Sequence, residues 1–387
     1  MNARILQFAV FLSVATLLTA GMHRLLWARL VRDPGWPEPW PRALTAVLVG
    51  LAVTMVAALP LQRALPRPVA GVLAMVAFGW MGLSFVLVVG TLGAEIVRGA
   101  YRLLAGAHDP ERRQSLARGL AALVGVGGTL AGAWGIRTAL GRWRVETVRV
   151  PVANLPASLE GFTIVQVTDI HVGPTIGRGF VDAMVRAVND LRPDAVAITG
   201  DLVDGSVASL GEHVAPLAGL RARHGVFFVT GNHEYYSGVD EWLAELGRLG
   251  VRVLANERVT LGGADGAIDL AGVHDWSGRR HPGPHKPDLA KALAGRDPAR
   301  PVVLLAHQPK QAREAAAHGV ALVLSGHTHG GQIWPWGAVV ALDQTYVKGL
   351  HREGATHIYV NQGTGYWGPP MRLGTAPEIT RVVLTRA

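Results

Sequence analysis

Four long stretches without a charged side chain, at residues 5–22, 43–61, 69–94 and 120–136, limit the folds open to this chain more than any other feature. Each lies near the ~17–25 apolar residues that a helix needs to cross the hydrocarbon core of a bilayer. Four transmembrane helices are therefore expected within residues 1–145. A cleaved leader is the rival reading of the first stretch, but no small-residue cleavage site with polar sequence behind it appears, and three more stretches follow. Burial in a soluble bundle is the rival for all four, and the Arg-rich connections between them argue against it.

Charge divides the chain at the same place. Of 37 Lys and Arg and 28 Asp and Glu, the residues before Glu146 hold 15 basic and 5 acidic, leaving 22 and 23 for the remainder. The net charge of +9 thus belongs to the N-terminal part, and the rest is close to neutral. No Lys/Arg excess is left there to neutralise a phosphate backbone, so nucleic acid is not an expected partner. Cysteine is absent, which removes disulfides and thiolate metal sites.

With four spans, Arg24, Arg29, Arg32, Arg42, Arg98, Arg102, Arg112, Arg113 and Arg118 share one side. Arg4, Arg63, Arg67, Arg137, Arg142 and Arg144 share the other. Nine against six favours the first set in the cytoplasm and everything after the last span outside it. The expected location is a bacterial cytoplasmic membrane, crossed several times. Trp27, Trp36 and Trp40 fall near span ends, as interfacial aromatics do. Gly128 and Gly132 have the spacing of close helix packing, although glycine is common in membrane helices.

From Glu146 the pattern changes to short apolar runs alternating with amphipathic segments. Strands are expected at 163–168, 195–199, 226–230, 268–273, 302–306 and 321–324, and helices at 180–191, 239–249 and 310–317. This alternation predicts an α/β domain over residues 146–387 with largely buried sheets. About 240 residues suffice for one sizeable core. The Pro- and His-rich stretch 281–287 reads as a surface loop.

Five short motifs then fall at or beside strand ends: Asp169-Ile170-His171, Gly200-Asp201, Gly231-Asn232-His233-Glu234, His307, and Gly326-His327-Thr328-His329. Groups at the carboxyl ends of strands converge on one edge of a sheet. Singly the pieces are weak: Asp-x-His can cap a helix, Gly-Asp is ordinary turn chemistry, and a lone histidine is more often a core residue. Together they supply carboxylate, amide and imidazole donors sufficient for two divalent cations sharing one carboxylate, a device for in-line attack on phosphorus. That donor set suits Mn, Fe or Zn.

On these motifs the chain resembles the calcineurin-like metallophosphoesterase superfamily, from residue 163 to the C-terminus. The stretches 326–336, 359–370 and 379–384, with the N-terminal spans, resemble its branch of transmembrane proteins with a metallophosphoesterase domain. The resemblance implies a four-layer α/β/β/α sandwich behind the helices. It also implies a first cation on Asp169, His171 and His329, a second on Asn232, His307 and His327, and Asp201 bridging both. A hydroxide held between the cations would be the nucleophile, and His233 the non-ligand histidine that stabilises phosphoryl oxygens or protonates the leaving group.

The resulting expectation is a membrane-anchored phosphohydrolase acting on a phosphoester or pyrophosphate, with a membrane lipid as the candidate substrate. Within the branch, the pyrophosphate of UDP-2,3-diacylglucosamine is the specific case, although such a nucleotide-activated lipid would be met on the cytoplasmic face. Rival readings are a phosphodiesterase or phosphoprotein phosphatase for soluble substrates, and a non-catalytic membrane sensor. A transporter is disfavoured because the spans carry no internal charge. Glu234 is expected to orient His233 or to pair with a surface Arg, and Asp204 to serve a loop or cap. Trp334, Trp336, Tyr366 and Trp367 either wall a substrate pocket or pack the rim of the fold.

Overall fold

Uncharged Leu-, Val- and Ala-rich sequence forms helix wherever it must satisfy its own backbone. A computed structural model describes residues 3–105 and 109–387; the side chains of residues 3–8, 63 and 105, and so of Arg4 and Arg63 in the charge count, lie outside the described set. Among the described residues, four helices are long and apolar enough to cross a membrane. They are α1 (Ala3–Leu26), extended by a π-helical turn at Trp27–Arg32, α2 (Trp40–Ala64), α3 (Arg67–Ala105) and α4 (Pro110–Ala139). The last begins ten residues before its apolar stretch, because Asp109 caps it by accepting from the Glu111 and Arg112 N–H groups and Pro110 takes the first turn.

These helices form one compact unit, Met1–Leu140, which also includes the distant segment Gly368–Leu373. Within it, a side-chain carbon on Gly132 would lie 2.8 Å from Leu83 of α3, and one on Gly135 would lie 2.7 Å from Met371. Small residues here let α4 approach both neighbours, and the Arg372 N–H donates to the Gly135 carbonyl at 2.9 Å.

The second unit comprises Gly141–Trp367 and Gly374–Ala387. In chain order its first half runs β1 (Arg144–Val152), β2 (Thr163–Val167), α5 (Arg178–Asp190), β3 (Ala195–Ile198), α6 (Val207–Val214), β4 (Val226–Phe228), α7 (Asn232–Ser237), α8 (Val239–Arg248) and β5 (Arg252–Val253). The second half runs β6 (Glu257–Gly263), β7 (Gly266–Gly272), α9 (Leu289–Leu293), β8 (Val302–Leu305), α10 (Ala312–Ala317), β9 (Leu322–Ser325), α11 (Gly337–Val340), β10 (Gly349–Glu353) and β11 (Thr356–Val360). Strand β12 (Glu378–Arg386) then returns to the first sheet.

Two six-stranded mixed sheets result, ordered β1-β12-β2-β3-β4-β5 and β10-β11-β9-β8-β7-β6. Ile164, Ala197, Phe227 and Val382 of the first share one buried cluster with Leu270, Val303, Leu324 and Tyr359 of the second, so the sheets pack face to face. Ala271, Leu304, Val323 and Ile358 point the other way and meet Leu289, Leu293, Ala312 and Ala315 from α9 and α10. The outward residues of the first sheet, among them Val165, Val196 and Ile198, are equally buried, as are the apolar stripes of α5 and α8. This is an α/β/β/α sandwich.

The six expected strands are present within two residues of their predicted ends. Loop 281–287 is mostly exposed, but His285 is buried inside it, packed against Tyr235 and His274.

Candidate metal centre

Strand register brings the motifs together. Val167 of β2 pairs with Ile198 of β3, so both strands end level. Beyond them the Asp169 N–H donates to the Gly200 carbonyl at 3.0 Å and the His171 N–H to the Asp201 carbonyl at 3.1 Å. In the other sheet Leu305 of β8 pairs with Leu324 of β9, and the Gly326 N–H donates to the His307 carbonyl at 2.9 Å. The two edges are joined at the site, where the His327 N–H donates to Asp169 Oδ2 at 2.9 Å.

At each strand end the backbone turns abruptly. Asp169, His171, Asp201, His327 and His329 all have left-handed φ, between 50° and 71°. For residues with a side chain this costs ~1–2 kcal/mol each, strain of the kind that gathers at functional sites. Gly231 permits the same crowding from the β4 side, since a side chain there would collide with the Asp201 carboxylate.

Three groups of donors form, each with its atoms within 4.8 Å of one another: Asp169, His171 and His329; His171, Asp201 and His233; and Asp201, His307 and His327. Nε2 of His171 lies 3.1 Å from Nε2 of His329, which lies 3.3 Å from Asp169 Oδ1. On the other side His307 Nε2 is 3.2 Å from Asp201 Oδ2 and 3.2 Å from His327 Nδ1. Asn232, the first residue of α7, has its Oδ1 buried without a hydrogen-bond partner. Six of the seven expected donors and His233 thus gather where the ends of both sheets meet, and Asn232 precedes His233 at the start of α7.

Neighbouring groups fix the ring orientations. His307 Nδ1 lies 2.7 Å from the Thr199 carbonyl and donates to it, which turns Nε2 toward Asp201. Asp204 does the same for two rings at once, with Oδ1 at 3.2 Å from His171 Nδ1 and 2.6 Å from His233 Nδ1. Asp204 is therefore not a plain loop residue, and no local sequence pattern marks its role. Among the described residues, Glu234 neither touches His233 through its carboxylate nor pairs with an Arg. Buried, it accepts from the Gly231 N–H at 2.6 Å, the Asp201 N–H at 3.0 Å and the Leu202 N–H at 2.8 Å, clamping the backbone under Asp201.

The electrostatics follow from burial and proximity. Burial pushes the Asp169 carboxyl up, against the pull of His307. Burial acts on Asp201 equally, yet His307 and His233 hold its carboxyl well below the usual range. Burial also opposes protonation of His233, but Asp201 and Asp204 raise it to about 9. Burial and then His307 drive His327 down to about 3. For Glu234, burial and the nearby Asp201 raise the carboxyl to about 7.

The aromatic segments separate. Tyr366 is buried and packs the rim, whereas Trp334, Trp336 and Trp367 are exposed. Trp367, 54% exposed, has its ring 5.7 Å from that of His233, and the exposed Tyr236, which carried no sequence signal, lies 5.5 Å away. Gln332 holds Trp367 in place, accepting from its N–H at 3.0 Å and donating to its carbonyl at 2.9 Å.

Oxygen and nitrogen donors without thiolate, one of them an orphaned amide oxygen, fit divalent cations and define a metal-dependent hydrolase site. Comparison with known proteins agrees. Residues 162–331 match the calcineurin-like phosphoesterase family. The chain is 44% identical over 306 residues to a bovine (Bos taurus) transmembrane protein with metallophosphoesterase domain, covering 74% of this chain and 68% of that protein. It is 42% identical over 247 residues to an uncharacterized metallophosphoesterase of Helicobacter pylori, covering 63% and 65%. To the uncharacterized metallophosphoesterase YkuE of Bacillus subtilis it is 32% identical over 281 residues, covering 70% and 96%. The chain spans about two thirds of the length of the first two. It belongs to the calcineurin-like phosphoesterase family, and is a phosphoesterase with helices suited to a membrane.

Proposed function

We propose that residues 1–145 anchor a catalytic domain, residues 146–387, in which two divalent cations serve the hydrolysis of a phosphoester or pyrophosphate. The observation that carries this reading is that two donor triads, Asp169 with His171 and His329, and Asp201 with His307 and His327, are linked by a third group in which Asp201 comes within 4.8 Å of His171, so that Asp201 can serve both sides. Asp169, His171 and His329 are assigned to one cation, Asn232, His307 and His327 to the other, and Asp201 to both. Mn, Fe and Zn all suit the set. When bound, such a pair supplies Lewis-acid polarisation of phosphoryl oxygens and acidifies water toward neutral pH.

The chain's own residues do the rest. Asp204 and the Thr199 carbonyl hold the imidazoles in the tautomers that direct lone pairs into the pocket. His233, its Nδ1 engaged by Asp204, directs Nε2 to within 3.9 Å of Asp201 Oδ2, where it can stabilise the phosphoryl oxygens or protonate the leaving oxygen. Trp367 and Tyr236 form aromatic walls beside it, which favours a substrate carrying a ring or an apolar group. An anchored enzyme with such walls suits a lipid-linked substrate, of which UDP-2,3-diacylglucosamine is one example. The Arg distribution favours a catalytic domain outside the cytoplasm, which suits lipid-linked phosphates of that face better than UDP-2,3-diacylglucosamine, met on the cytoplasmic one.

The test is turnover by the purified full chain with Mn²⁺ on lipid pyrophosphates, nucleotide diesters and phosphopeptides, alongside elemental analysis. Two cations per chain and preference for the lipid substrates are expected. Preference for diesters or phosphopeptides would reassign the substrate to soluble compounds, and a single cation would remove the bridging role of Asp201.

A further inference from the structure

Apart from the metal centre, arginine gathers in one place in the helical unit. A cavity of about 480 Å³ is lined by Arg29 and Arg32 from the π-helical turn after α1, Arg98, Tyr101 and Arg102 from the end of α3, and Arg113 from the start of α4. Its volume is within the range of small-molecule sites. Two carboxylates face these five guanidiniums. Asp33 accepts from Arg29 at 2.6 Å and from Arg32 at 2.8 Å, and Glu95 from Arg29 at 2.8 Å and from Arg98 at 2.7 Å. Arg102 and Arg113 make no ion pair among the described residues, so positive charge remains in excess.

Arg98 is the decisive residue. Its side chain is only 9% exposed, and its Nε is buried without any acceptor. A long cationic side chain is rarely buried with a donor unsatisfied, because the lost hydration costs more than the fold recovers. Arg98 nevertheless lines the cavity, so an anion there would offset a cation already stripped of water and the excess charge of Arg102 and Arg113 beside it. Planar guanidinium forks match a phosphate's oxygens in pairs, and basic pockets between membrane helices are a known form of headgroup recognition.

We propose that this cavity is a binding site for a phosphomonoester headgroup, one that carries no cation of its own, with Arg98 as its buried anchor and Arg102 and Arg113 as its free cations. The site is separate from the metal centre and stands whatever that centre hydrolyses. It also gives five of the nine arginines in the topology count a second reason to lie on one side.

The test is the thermal midpoint of the full chain in neutral detergent, titrated with dioctanoyl phosphatidic acid, dioctanoyl phosphatidylcholine or inorganic phosphate. Phosphatidic acid is expected to raise the midpoint saturably and phosphatidylcholine to leave it nearly unchanged. A comparable rise with inorganic phosphate would confirm the site and identify its ligand as a soluble phosphate instead of a lipid. The exposed pair of changes Arg102→Gln and Arg113→Gln preserves the buried structure, and should weaken the response at least about tenfold, the loss expected when charge-assisted contacts are removed. Arg98→Lys, which keeps the charge but not the fork, should weaken it as well. Equal responses to the two lipids, no response to any probe, or an undiminished response in the double variant would overturn the proposal.

Discussion

The Asp204 carboxylate lies 2.6 Å from Nδ1 of His233, and the same oxygen reaches His171 at 3.2 Å. One side chain thus orients both an expected cation donor and the expected acid. Asp204→Asn keeps the shape but loses the charge and one fixed acceptor. Turnover is expected to fall ~10–100-fold, the usual effect of removing such a partner, with little change in KM. Steady-state kinetics would show this, and an unchanged kcat would mean that the rings are held by packing alone.

Asp201→Asn addresses the shared position. If one carboxylate serves both cations, its loss should lower turnover by about a hundredfold or more and reduce the bound metal. Elemental analysis after dialysis reads the second effect separately from the first. Full metal content with normal turnover would rule out the bridge.

His233→Ala separates the acid from the donors. Turnover should drop ~10²–10⁴-fold while metal content stays near that of the parent chain. Loss of metal instead would assign His233 to the donor set, as its place beside His171 and Asp201 also allows.

Glu234→Ala would strip the acceptor from three buried N–H groups, those of Gly231, Asp201 and Leu202. Each unsatisfied donor costs about 1–3 kcal/mol, so a loss of at least about 3 kcal/mol is expected in denaturant unfolding of the catalytic domain. A change under about 1 kcal/mol would show that the loop does not depend on this clamp.

His274 gives the acid side of the stability profile. Burial, followed by the nearby His285 and Lys291, lowers it from 6.5 to about 4, against a small opposing pull from Asp240. Between those values the unfolded chain takes up a proton that the folded chain refuses, so this contribution is present above pH 6.5 and is lost as pH falls toward 4. About 2 kcal/mol should disappear over that window after allowance for solvent screening. Denaturation curves at pH 7, 5.5 and 4.5 should show a shallower decline in His274→Gln than in the parent chain.

Much of this was legible in the sequence because it is local. Uncharged stretches give membrane-length helices, and a glycine with a donor behind an apolar run gives a strand end, as at Gly200-Asp201 and Gly326-His327. The gathering of those donors followed from sheet geometry. What remained hidden depends on distant partners. Asp204 serves rings 33 and 29 residues away, and Glu234 reaches backbone N–H groups more than 30 residues back. Neither leaves a periodic trace. Strands β1 and β12 escaped notice for another reason: Arg, Thr and Glu interrupt their apolar residues, and only pairing with each other and with β2 makes them part of a sheet. His285 lies in a Pro-rich loop, where composition predicts exposure for all, and burial of its individual residues cannot be read.

The short run Gly368–Leu373 belongs to the helical unit although it is far from the helices in the chain. A truncation beginning at Gly141 would therefore retain Met371 and Arg372 while discarding the glycine surface of α4 against which they are buried. Trp367, whose ring flanks His233, immediately precedes that run. A soluble fragment prepared for crystallisation or screening thus needs Met371 exchanged for a polar residue, or it will carry a loose, sticky loop.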